Sequence, residues 1–485
     1  MRNNQEIRFG DLVKVTDFIY EIPQKYRNDM QVAARVFADR SILNDILQDR
    51  SLEQLVNVTT LPGIQSMALA MPDMHQGYGF PIGGVAAMDL DSGTISPGGI
   101  GYDINCGMRL LTTNLMVDDV KNQIAELAKI IFNSVPSGVG AGGSVTFEGA
   151  RLNDVLLHGA QHMVSLGYGI PDDLAYCEEH GCFVGADPDK VSAQAKNRGI
   201  DQVGTLGSGN HFLELQTVDE IFDTEIAQVF GLSRGQLVVM IHCGSRGLGH
   251  QVCTDYVRMM VPKIAQWGIV LPDRELACAP FKSTEGQDYF KAMAAAANFA
   301  WANRQVIGYR VRTVFQKMFG ESAQVNVLYD VSHNIGKIEQ HMINGKQKMV
   351  LVHRKGATRA FGPDNSAIPV KYCQVGQPVL IPGTMGTASY VLAGTHDAMN
   401  VSFGSACHGA GRRMSRMAAL RTIKGPDLRR QLEHQGIVIC CRSNKGLAEE
   451  APIAYKEIDN VVNVVAAIGV AKKVARLKPI AVIKG

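Results

Sequence analysis

Apolar residues recur along this chain at two spacings, and each spacing predicts one kind of element. Residues 120–131 carry an apolar side chain every three or four positions, which predicts an amphipathic helix. Residues 288–319 form a longer, Ala-rich pattern of the same period, and Gly320 is expected to end that helix. A third helix is predicted from Asp187-Pro188, where an N-cap residue precedes a first-turn proline, to Gly199.

Short runs rich in Val, Ile and Leu predict buried strands at residues 237–241 and 325–329. Asn344-Gly345 precedes another such run at 349–352, and this dipeptide is the typical turn of a β-hairpin. Strands and helices mix without a regular βαβ alternation. We therefore predict an α+β fold with central β-sheets flanked by helices.

The chain shows no internal repeat, no low-complexity segment and no linker rich in Pro or Ser. Its glycine-rich runs lie between predicted strands and helices, inside the body of the sequence. A length of 485 residues would by itself suggest about three domains, yet no boundary is visible. We therefore predict one large compact catalytic domain over residues 1–485, in which residues 1–70 form a candidate N-terminal helical element.

Composition limits the classes of function. The formal net charge is only +2, so any site for a polyanion must be a local basic patch. The apolar run at 461–471 is too short to span a bilayer, and residues 1–6 do not resemble a signal peptide. Ten cysteines without a Cys-x-x-Cys pair do not indicate a disulfide framework. We expect a cytoplasmic protein without a membrane partner.

Candidate metal ligands are dispersed along the chain. Asp103 and Cys106 lie three apart in a glycine-flanked turn, so both can reach one ion. His211 follows a glycine-rich run, whereas His242 and His333 each follow a predicted strand. Together they predict a metal centre assembled from distant segments. For each residue singly, a hydrogen-bonded structural histidine or a small buried cysteine remains the alternative.

A second candidate cluster is local. Cys177, His180 and Cys182 supply donor types that zinc prefers, but their spacing is not a standard one. Unrelated surface residues are the alternative explanation, and the role of this cluster stays open.

His408 stands in Cys407-His408-Gly409-Ala410-Gly411, ahead of a run with helical spacing at 412–420 that Gly425 is expected to end. The first turn of a helix offers free N–H groups and partial positive charge, which suit a phosphate group. A histidine there can act as a metal ligand, a general acid or a covalent nucleophile, and the residues alone leave the choice open.

Cationic residues in or beside these runs can line a groove for a nucleic-acid backbone. They are Arg198, Arg246, Lys355 and Arg412. For each one singly, a solvated surface charge is the alternative. Aromatic residues are not interleaved with them, so a base-stacking platform is not predicted.

Several long motifs, in this order, resemble the RtcB family of RNA-splicing ligases. They are Pro-Asp-Met-His-Gln-Gly-Tyr-Gly (72–79), Asp-Ile-Asn-Cys-Gly (103–107), Gly-Thr-Leu-Gly-Ser-Gly-Asn-His-Phe (204–212), Gly-Ser-Arg-Gly-Leu-Gly-His (244–250) and Cys-His-Gly-Ala-Gly-Arg (407–412). The resemblance extends from about residue 65 to Lys484-Gly485. It implies a compact α+β fold particular to the family.

The resemblance also implies an activity. Family members are GTP- and manganese-dependent ligases that join an RNA 3′-phosphate or 2′,3′-cyclic phosphate to a 5′-hydroxyl, in tRNA splicing or RNA repair. The histidine that matches His408 attacks the α-phosphate of GTP. The GMP then passes to the RNA 3′-phosphate, and the 5′-hydroxyl displaces it. Implied partners are RNA (tRNA halves or broken RNA) and the activating protein archease.

Individual roles follow from the same resemblance. One Mn²⁺ ion falls on Asp103, Cys106 and His211, and a second falls on Cys106, His242 and His333, so the thiolate is shared. Implied GTP contacts are Asn210, Glu214, Asn334, Thr384, Ser389, Gly409, Ala410, Gly411, Tyr455 and Lys484. Among these, Glu214, Ser389, Tyr455 and Lys484 are implied to contact guanine.

Other classes stay open. A dinuclear-metal phosphoesterase that only opens 2′,3′-cyclic phosphate RNA ends would use the same metals, but it would need neither His408 nor Lys484. A non-catalytic RNA-binding protein would have little use for a buried thiolate–imidazole cluster. Ligand softness and the Irving–Williams order favour zinc over manganese at Cys and His donors, so manganese rests on the resemblance alone.

Overall fold

The computed structural model describes residues 7–138, 140–143 and 145–485. These residues form two large β-sheets with helices packed against them, which confirms the predicted α+β class. The α-helices are α1 Arg40–Ile46, α2 Ser51–Val58, α3 Val117–Val120, α4 Ile124–Ser134, α5 Ala150–Ser165, α6 Asp172–Ala175, α7 Ala193–Asn197, α8 Thr224–Phe230, α9 Arg246–Met260, α10 Thr284–Phe319, α11 Asp397–Ser402, α12 Arg416–Thr422, α13 Gly425–His434, α14 Asn444–Glu449 and α15 Ile458–Ala467.

The first sheet has seven strands. In spatial order they are β1 Val13–Lys14, β2 Ile19–Ile22, β3 Ala33–Phe37, β4 Ile64–His75, β5 Ile82–Asp89, β13 Lys346–Lys355 and β12 Asn334–Ile343. Two small ladders stand apart from both large sheets: β6 Thr94–Ile95 with β10 Ala279–Pro280, and β14 Ala357–Arg359 with β17 Ser405–Cys407.

The second sheet has eight strands. In spatial order they are β11 Val325–Ser332, β7 Gly107–Met116, β9 Gln236–Cys243, β8 Phe212–Ile221, β19 Ala471–Lys484, β16 Ser389–Gly394 and β15 Pro378–Ile381, with β18 Val438–Cys441 parallel to β19. The strongly periodic elements are confirmed in this framework. The predicted helices at 120–131 and 288–319 appear as α4 and α10, and the two predicted strands appear as β9 and β11. The Asn344-Gly345 turn joins β12 to β13, where Ile343 pairs with Lys346.

The prediction for residues 187–199 was wrong in one respect. Asp187 does cap a turn, since its side chain accepts from Asp189 N–H, but that turn is a 3-10 helix that ends at Lys190. A separate helix, α7, begins after the Ser192 cap. One N-cap and one proline thus mark the first of two short helices.

The prediction for residues 412–420 was also wrong at its start. The helix α12 begins only at Arg416, behind the Ser415 cap, and Gly425 opens α13 rather than ending α12. Gly411 explains the delay, because it has a φ of +73° and passes so close to the Asp73 carbonyl that a Cβ would lie 2.1 Å from it. His408 is therefore not at a helix N-terminus.

The N-terminal segment is mixed rather than helical. Within residues 7–70, α1 and α2 are helices, but β1, β2 and β3 join the first sheet, where β3 runs parallel to β4. The burial of alternate residues in β2 explains the difference, because an alternating strand face packs against the core. Residues 1–6 lie outside the described part of the chain. The assignment of residues 1–485 to one domain stays a prediction.

The helix α10 lies in the middle of the core. All residues from Ala292 to Gly308 are buried, and the run of alanines lets α5 and α9 pack closely against this helix. Gly320 follows its last turn with a φ of +86°, as predicted. Within the described ranges, no helix combines the length and apolar character that crossing a membrane demands.

The second sheet brings distant chain segments to one edge. The strand β7 begins directly after Cys106 and β8 directly after His211, while His242 lies near the end of β9 and His333 follows β11. Because β7 and β8 both run antiparallel to β9, and β11 runs antiparallel to β7, these starts and ends share one edge. Side chains from four segments therefore converge there.

Candidate functional site

The donor atoms at this sheet edge form one continuous cluster. Cys106 Sγ lies 3.4 Å from His211 Nε2 and 3.2 Å from His242 Nε2. His242 Nε2 lies 3.3 Å from His333 Nε2, and Asp103 Oδ2 lies 2.8 Å from His211 Nε2. The five residues predicted as metal ligands are thus brought together.

Two overlapping groups within this cluster have the arrangement of a metal site. The donor atoms of Asp103, Cys106 and His211 lie within 4.8 Å of one another, as do those of Cys106, His242 and His333. Cys106 belongs to both groups and is buried. The thiol is therefore placed to bridge two ions.

The orientation of two rings fits a bound cation. Nδ1 of His211 lies 3.1 Å from the Leu206 carbonyl, and Nδ1 of His242 lies 3.0 Å from the Asn210 carbonyl. A carbonyl oxygen only accepts, so Nδ1 of each ring is placed to donate to it, and Nε2 of each ring faces the Cys106 thiol. In this orientation both Nε2 atoms can coordinate a metal ion once they carry no proton.

The state of Cys106 points the same way. Burial raises the pKa of this thiol to about 12, so in the protein alone it stays protonated at neutral pH. Metal coordination deprotonates a thiol outright. The thiolate form is therefore expected only with a cation in place.

Arg304 of α10 holds the backbone behind the cluster. Its Nη1 donates to the carbonyls of Asn105, at 2.7 Å, and Cys243, at 2.8 Å. Its Nε and Nη2 donate to the Asp330 carboxylate at distances from 2.8 to 3.1 Å. Asn105 and Cys243 are direct neighbours of two donor residues, and Asp330 lies on the strand that leads to a third. One buried guanidinium thus fixes three donor-bearing segments.

His408 lies beside this cluster. Its ring centroid is 4.8 Å from that of His333. Nδ1 of His408 lies 2.6 Å from Oδ2 of the fully buried Asp73, and the same oxygen accepts from the His408 backbone N–H at 3.1 Å. The carboxylate therefore holds the proton on Nδ1 and leaves Nε2 free to act as a base or nucleophile.

A pocket opens over His242 and His408. The space between its walls, counted out into open solvent, is about 800 Å³. Many of the predicted GTP contacts line it: Asn210, Glu214, Thr384, Gly409, Ala410, Gly411, Tyr455 and Lys484. The pocket and the donor cluster are therefore adjoining parts of one site.

Two charged residues lie deep in this pocket. Burial raises the pKa of Glu214 to about 8, although Gln216 donates to its carboxylate at 2.7 Å. Burial also lowers the pKa of Lys484, whose Nζ donates to the Gly209 carbonyl at 2.6 Å. Contacts within the protein do not fully offset the cost of burying the charged form of either group, so a polar ligand can form further hydrogen bonds with both.

Glu450 organises one wall of the pocket. It is buried and accepts from Arg412 Nη1 and from Arg416 Nε, each at 2.8 Å, and also from the Tyr455 hydroxyl. The Arg412 guanidinium stacks 4.9 Å above the Tyr455 ring. Burial would raise the pKa of Glu450, but Lys484, Arg416 and Arg412 more than offset this and hold it below its usual value. The wall is thus a fixed ionic network.

Two of the predicted GTP contacts lie elsewhere. Asn334 donates to the Asp103 carbonyl and accepts from Gly356 N–H, so it braces the loop of the metal cluster. Ser389 is buried behind Glu214 and accepts from Gln216. Neither side chain is part of the pocket lining.

The four predicted RNA contacts have different surroundings. Lys355 is buried, donates to the carbonyls of Tyr78 and Phe80, and has its pKa lowered to about 7 by burial. Arg412 belongs to the Glu450 wall. Arg246 lies 3.1 Å from His211 Nδ1, and the exposed Arg198 donates to the buried Gln251 of α9. Their contact with RNA stays a prediction.

The local cluster of Cys177, His180 and Cys182 does not assemble a metal site. In the described residues, only the two groups around Cys106 bring three such donor atoms within 4.8 Å. Cys177 is buried, whereas Cys182 Sγ donates to the Leu157 carbonyl. Left-handed backbone at Glu179 and His180 separates the two thiols.

Sequence reasoning missed Asp73, Glu450 and Arg416 as functional residues. Asp73 stands in the motif at 72–79, two residues before His75, so a signal was present. Its partner His408 is 335 positions away, and no pattern in one sequence joins them. Glu450 lies outside every glycine-rich run and carries no such signal.

The fold and this site define an α+β protein with a candidate dinuclear metal centre beside a pocket that is lined by polar and ionisable residues. The sequence model of the family described as "tRNA-splicing ligase RtcB" matches residues 54–485. The chain belongs to this family.

Curated relatives with the same description match nearly end to end. One from Archaeoglobus fulgidus is 52% identical over 479 residues, which cover 98% of this chain and 99% of the relative. One from Thermococcus kodakarensis is 54% identical over 477 residues, again covering 98% and 99%. One from Pyrobaculum aerophilum is 53% identical over 477 residues, or 97% and 99% of the two chains.

Proposed function

We propose that this protein is an RNA ligase of tRNA splicing or RNA repair, which joins RNA 3′-phosphate or 2′,3′-cyclic phosphate ends to 5′-hydroxyl ends with GTP. The observation that carries the proposal is His408. Its Nδ1 is held 2.6 Å from buried Asp73 at the wall of a pocket that adjoins the donor cluster. A phosphoesterase could use the same pair as a general base, so covalent retention of GMP is the property that distinguishes the two functions.

Two Mn²⁺ ions would be held by Asp103, Cys106 and His211 and by Cys106, His242 and His333. Bound there, they would polarise phosphate oxygens and offset the negative charge of the transition states. Asn210 places its side chain in the pocket while its carbonyl orients His242. In this proposal the phosphates of GTP would lie next to the metal ions, and the base would lie toward Glu214.

The bond changes take place at His408. Its Nε2 attacks the α-phosphorus of GTP and forms a nitrogen–phosphorus bond. The bond from the α-phosphorus to the oxygen that bridges to the β-phosphorus breaks, and pyrophosphate leaves. Asp73 stabilises the positive charge that develops on the ring through Nδ1–H. A 2′,3′-cyclic phosphate end first adds water and opens to a 3′-phosphate. An oxygen of the RNA 3′-phosphate then attacks the phosphorus of the bound GMP, and the nitrogen–phosphorus bond to His408 breaks. The RNA 5′-hydroxyl finally attacks the activated 3′-phosphorus and loses its proton, and GMP leaves as the new phosphodiester forms.

Guanine recognition is assigned to Glu214. An ionised carboxylate accepts from the N1–H and amino group of guanine, whereas adenine offers no such pair of donors. Buried polar groups left unpaired by the wrong base would cost affinity. Lys484 and Tyr455 lie on the same pocket wall and complete the polar surroundings.

Incubation with GTP labelled at the α-phosphate tests the proposal. The parent protein with Mn²⁺ should retain label through an acid-labile, base-stable bond, and His408→Ala should retain none. Asp73→Asn should incorporate label about 100-fold more slowly or worse, because the amide no longer fixes the ring proton on Nδ1.

His396→Ala is the matched control, since His396 is an exposed histidine on a different surface. It should label like the parent. Metal content measured on each variant separates loss of the nucleophile from loss of the metal centre. Label on His408→Ala would refute the nucleophile.

A further inference from the structure

The net positive charge of this chain comes from one segment. Residues 412–445 contain nine Lys and Arg against two Asp and Glu, a formal net charge of +7, whereas the whole chain carries +2. All other residues together therefore carry a net charge of −5. We call residues 412–445 the basic module. Such a concentration in 34 consecutive residues is a local feature of the surface, which the overall charge conceals.

The basic module is a packed unit rather than a loose loop. It comprises α12, α13, β18 and the start of α14, and α13 packs against α14. Leu428, Leu432 and Leu447 form a small hydrophobic cluster of their own with neighbouring residues. The strand β18 fixes the unit to β19, where Cys441 pairs with Lys484 of the pocket. Its surface charges are thus held in place relative to the site.

Five exposed cations of the module have no acidic partner among the described residues. Among the described residues, no carboxylate oxygen within 4.0 Å is recorded for the side chains of Arg413, Arg421, Lys424, Arg442 or Lys445, and all of these residues are exposed. By contrast, the other four cations of the module pair with Glu450, Asp427 or Glu433. Several unneutralised charges therefore face solvent together.

The module borders the glycine turn that carries the site. A Cβ built on Gly209 would lie 3.3 Å from Arg416 Nη2, and one built on Gly138 would lie 3.5 Å from Arg442 Cδ. Gly138 N–H donates to the Gly207 carbonyl. The basic surface is therefore continuous with the turn that leads to Asn210 and His211.

We propose that the basic module is a docking surface for the phosphate backbone of the RNA, outside the pocket in which its end reacts. This inference rests on the proposed function. A polyanion is favoured over an acidic protein because Met417 is the only large, exposed apolar side chain among the described residues of the module. Protein interfaces need an apolar core, whereas a nucleic-acid backbone needs fixed cations.

The test compares two triple variants with equal charge loss. Arg421→Gln/Lys424→Gln/Lys445→Gln removes three cations of the module. The control, Lys25→Gln/Arg151→Gln/Lys346→Gln, removes three exposed cations elsewhere. Binding of a 20-nucleotide RNA with unreactive ends is measured by fluorescence anisotropy at several salt concentrations. Circular dichroism and GMP labelling check that fold and pocket are intact in both.

The module variant should bind this RNA at least about tenfold more weakly at low salt. The slope of log affinity against log salt should fall by about 2, since each lost phosphate contact on a single strand removes about 0.7. Sealing of ends carried on four-nucleotide fragments should be unchanged, while the KM for long RNA rises.

RNA affinity and salt slope equal to those of the control variant would overturn the proposal, and so would a selective loss of binding to polyglutamate with RNA binding intact. The binding assay uses unreactive RNA, so its outcome is independent of the ligation chemistry. Failure of GMP labelling in the parent would instead overturn the proposed function.

Discussion

Glu214 shows how a single buried residue couples the pocket to pH. Burial raises its pKa to about 8, so below that pH the free protein holds it mostly protonated. Guanine recognition needs the ionised form. Binding must therefore release a proton below pH 8, and the affinity should rise by up to tenfold per pH unit toward pH 8 and then level off.

Calorimetry with guanosine, which lacks titrating phosphates, measures this directly. Titrations at pH 6.5 in two buffers of different ionisation enthalpy should report nearly one proton released per guanosine bound. Glu214→Gln keeps the size of the side chain but cannot ionise, so its weaker binding should not depend on pH. Proton-independent binding by the parent would contradict the assignment.

For single residues, the motifs of the sequence located the candidate ligands. The sequence did not predict roles that depend on contact with a distant residue. All five donor residues could be predicted because glycine-rich or strand-terminal runs carry them. The sequence did not predict that Asn334 braces the Asp103 loop, because that role is defined by a carbonyl and an N–H on other segments. Lys355 was likewise expected at a surface, but it donates to two buried carbonyls.

Among the elements, α10 does most to shape the site, through Arg304. The guanidinium and its partner Asp330 are fully buried, and the hydrogen bonds reach three donor-bearing segments. Arg304→Lys keeps the charge but loses the planar fork of donors. We expect the free energy of unfolding to fall by about 1–3 kcal/mol, since buried carbonyls lose their hydrogen-bond donors, and Mn²⁺ affinity to fall with it.

Urea denaturation and equilibrium dialysis with Mn²⁺ measure both effects. Lys317→Met, on the exposed end of the same helix, is the matched control and should change neither. Unchanged Mn²⁺ affinity in a folded Arg304→Lys protein would show that the clamp serves the core alone.

Elements with strong periodicity could be predicted, whereas irregular ones could not. The 36 residues of α10 and the buried strands β9 and β11 follow directly from apolar spacing. Residues 412–415 have helical spacing too, but the close approach of Gly411 to Asp73 and the bridge from Arg412 to Tyr455 keep them out of the helix. Tertiary contacts of that kind override local preference.

For the whole molecule, the sequence motifs predicted neither the distribution of charge nor the pairing of distant strands. The overall charge of +2 suggested an unremarkable surface, yet it is the sum of a basic module at +7 and a remainder at −5. The N-terminal strands join the first sheet through a parallel pair, a long-range contact that no local pattern specifies. His333 lies between β11 of the second sheet and β12 of the first sheet. The site itself therefore lies where chain segments of both sheets meet.

A metal ion bound at this position would link the two sheets, with consequences for stability and for metal choice. A ligand that binds only the folded state stabilises it. Mn²⁺ at 100 times its Kd should therefore add about 2.7 kcal/mol to the free energy of unfolding, seen as a raised Tm that chelation reverses.

The soft thiolate and imidazole donors should nonetheless bind zinc more tightly than manganese. Dialysis against equal Mn²⁺ and Zn²⁺ should therefore leave mainly zinc in the protein, with GMP labelling lost. Cys106→Ser replaces the soft bridging donor with a hard one and should reduce the preference of the site for zinc over manganese. Equal retention of both metals by the parent would mean that geometry, rather than donor softness, selects the ion.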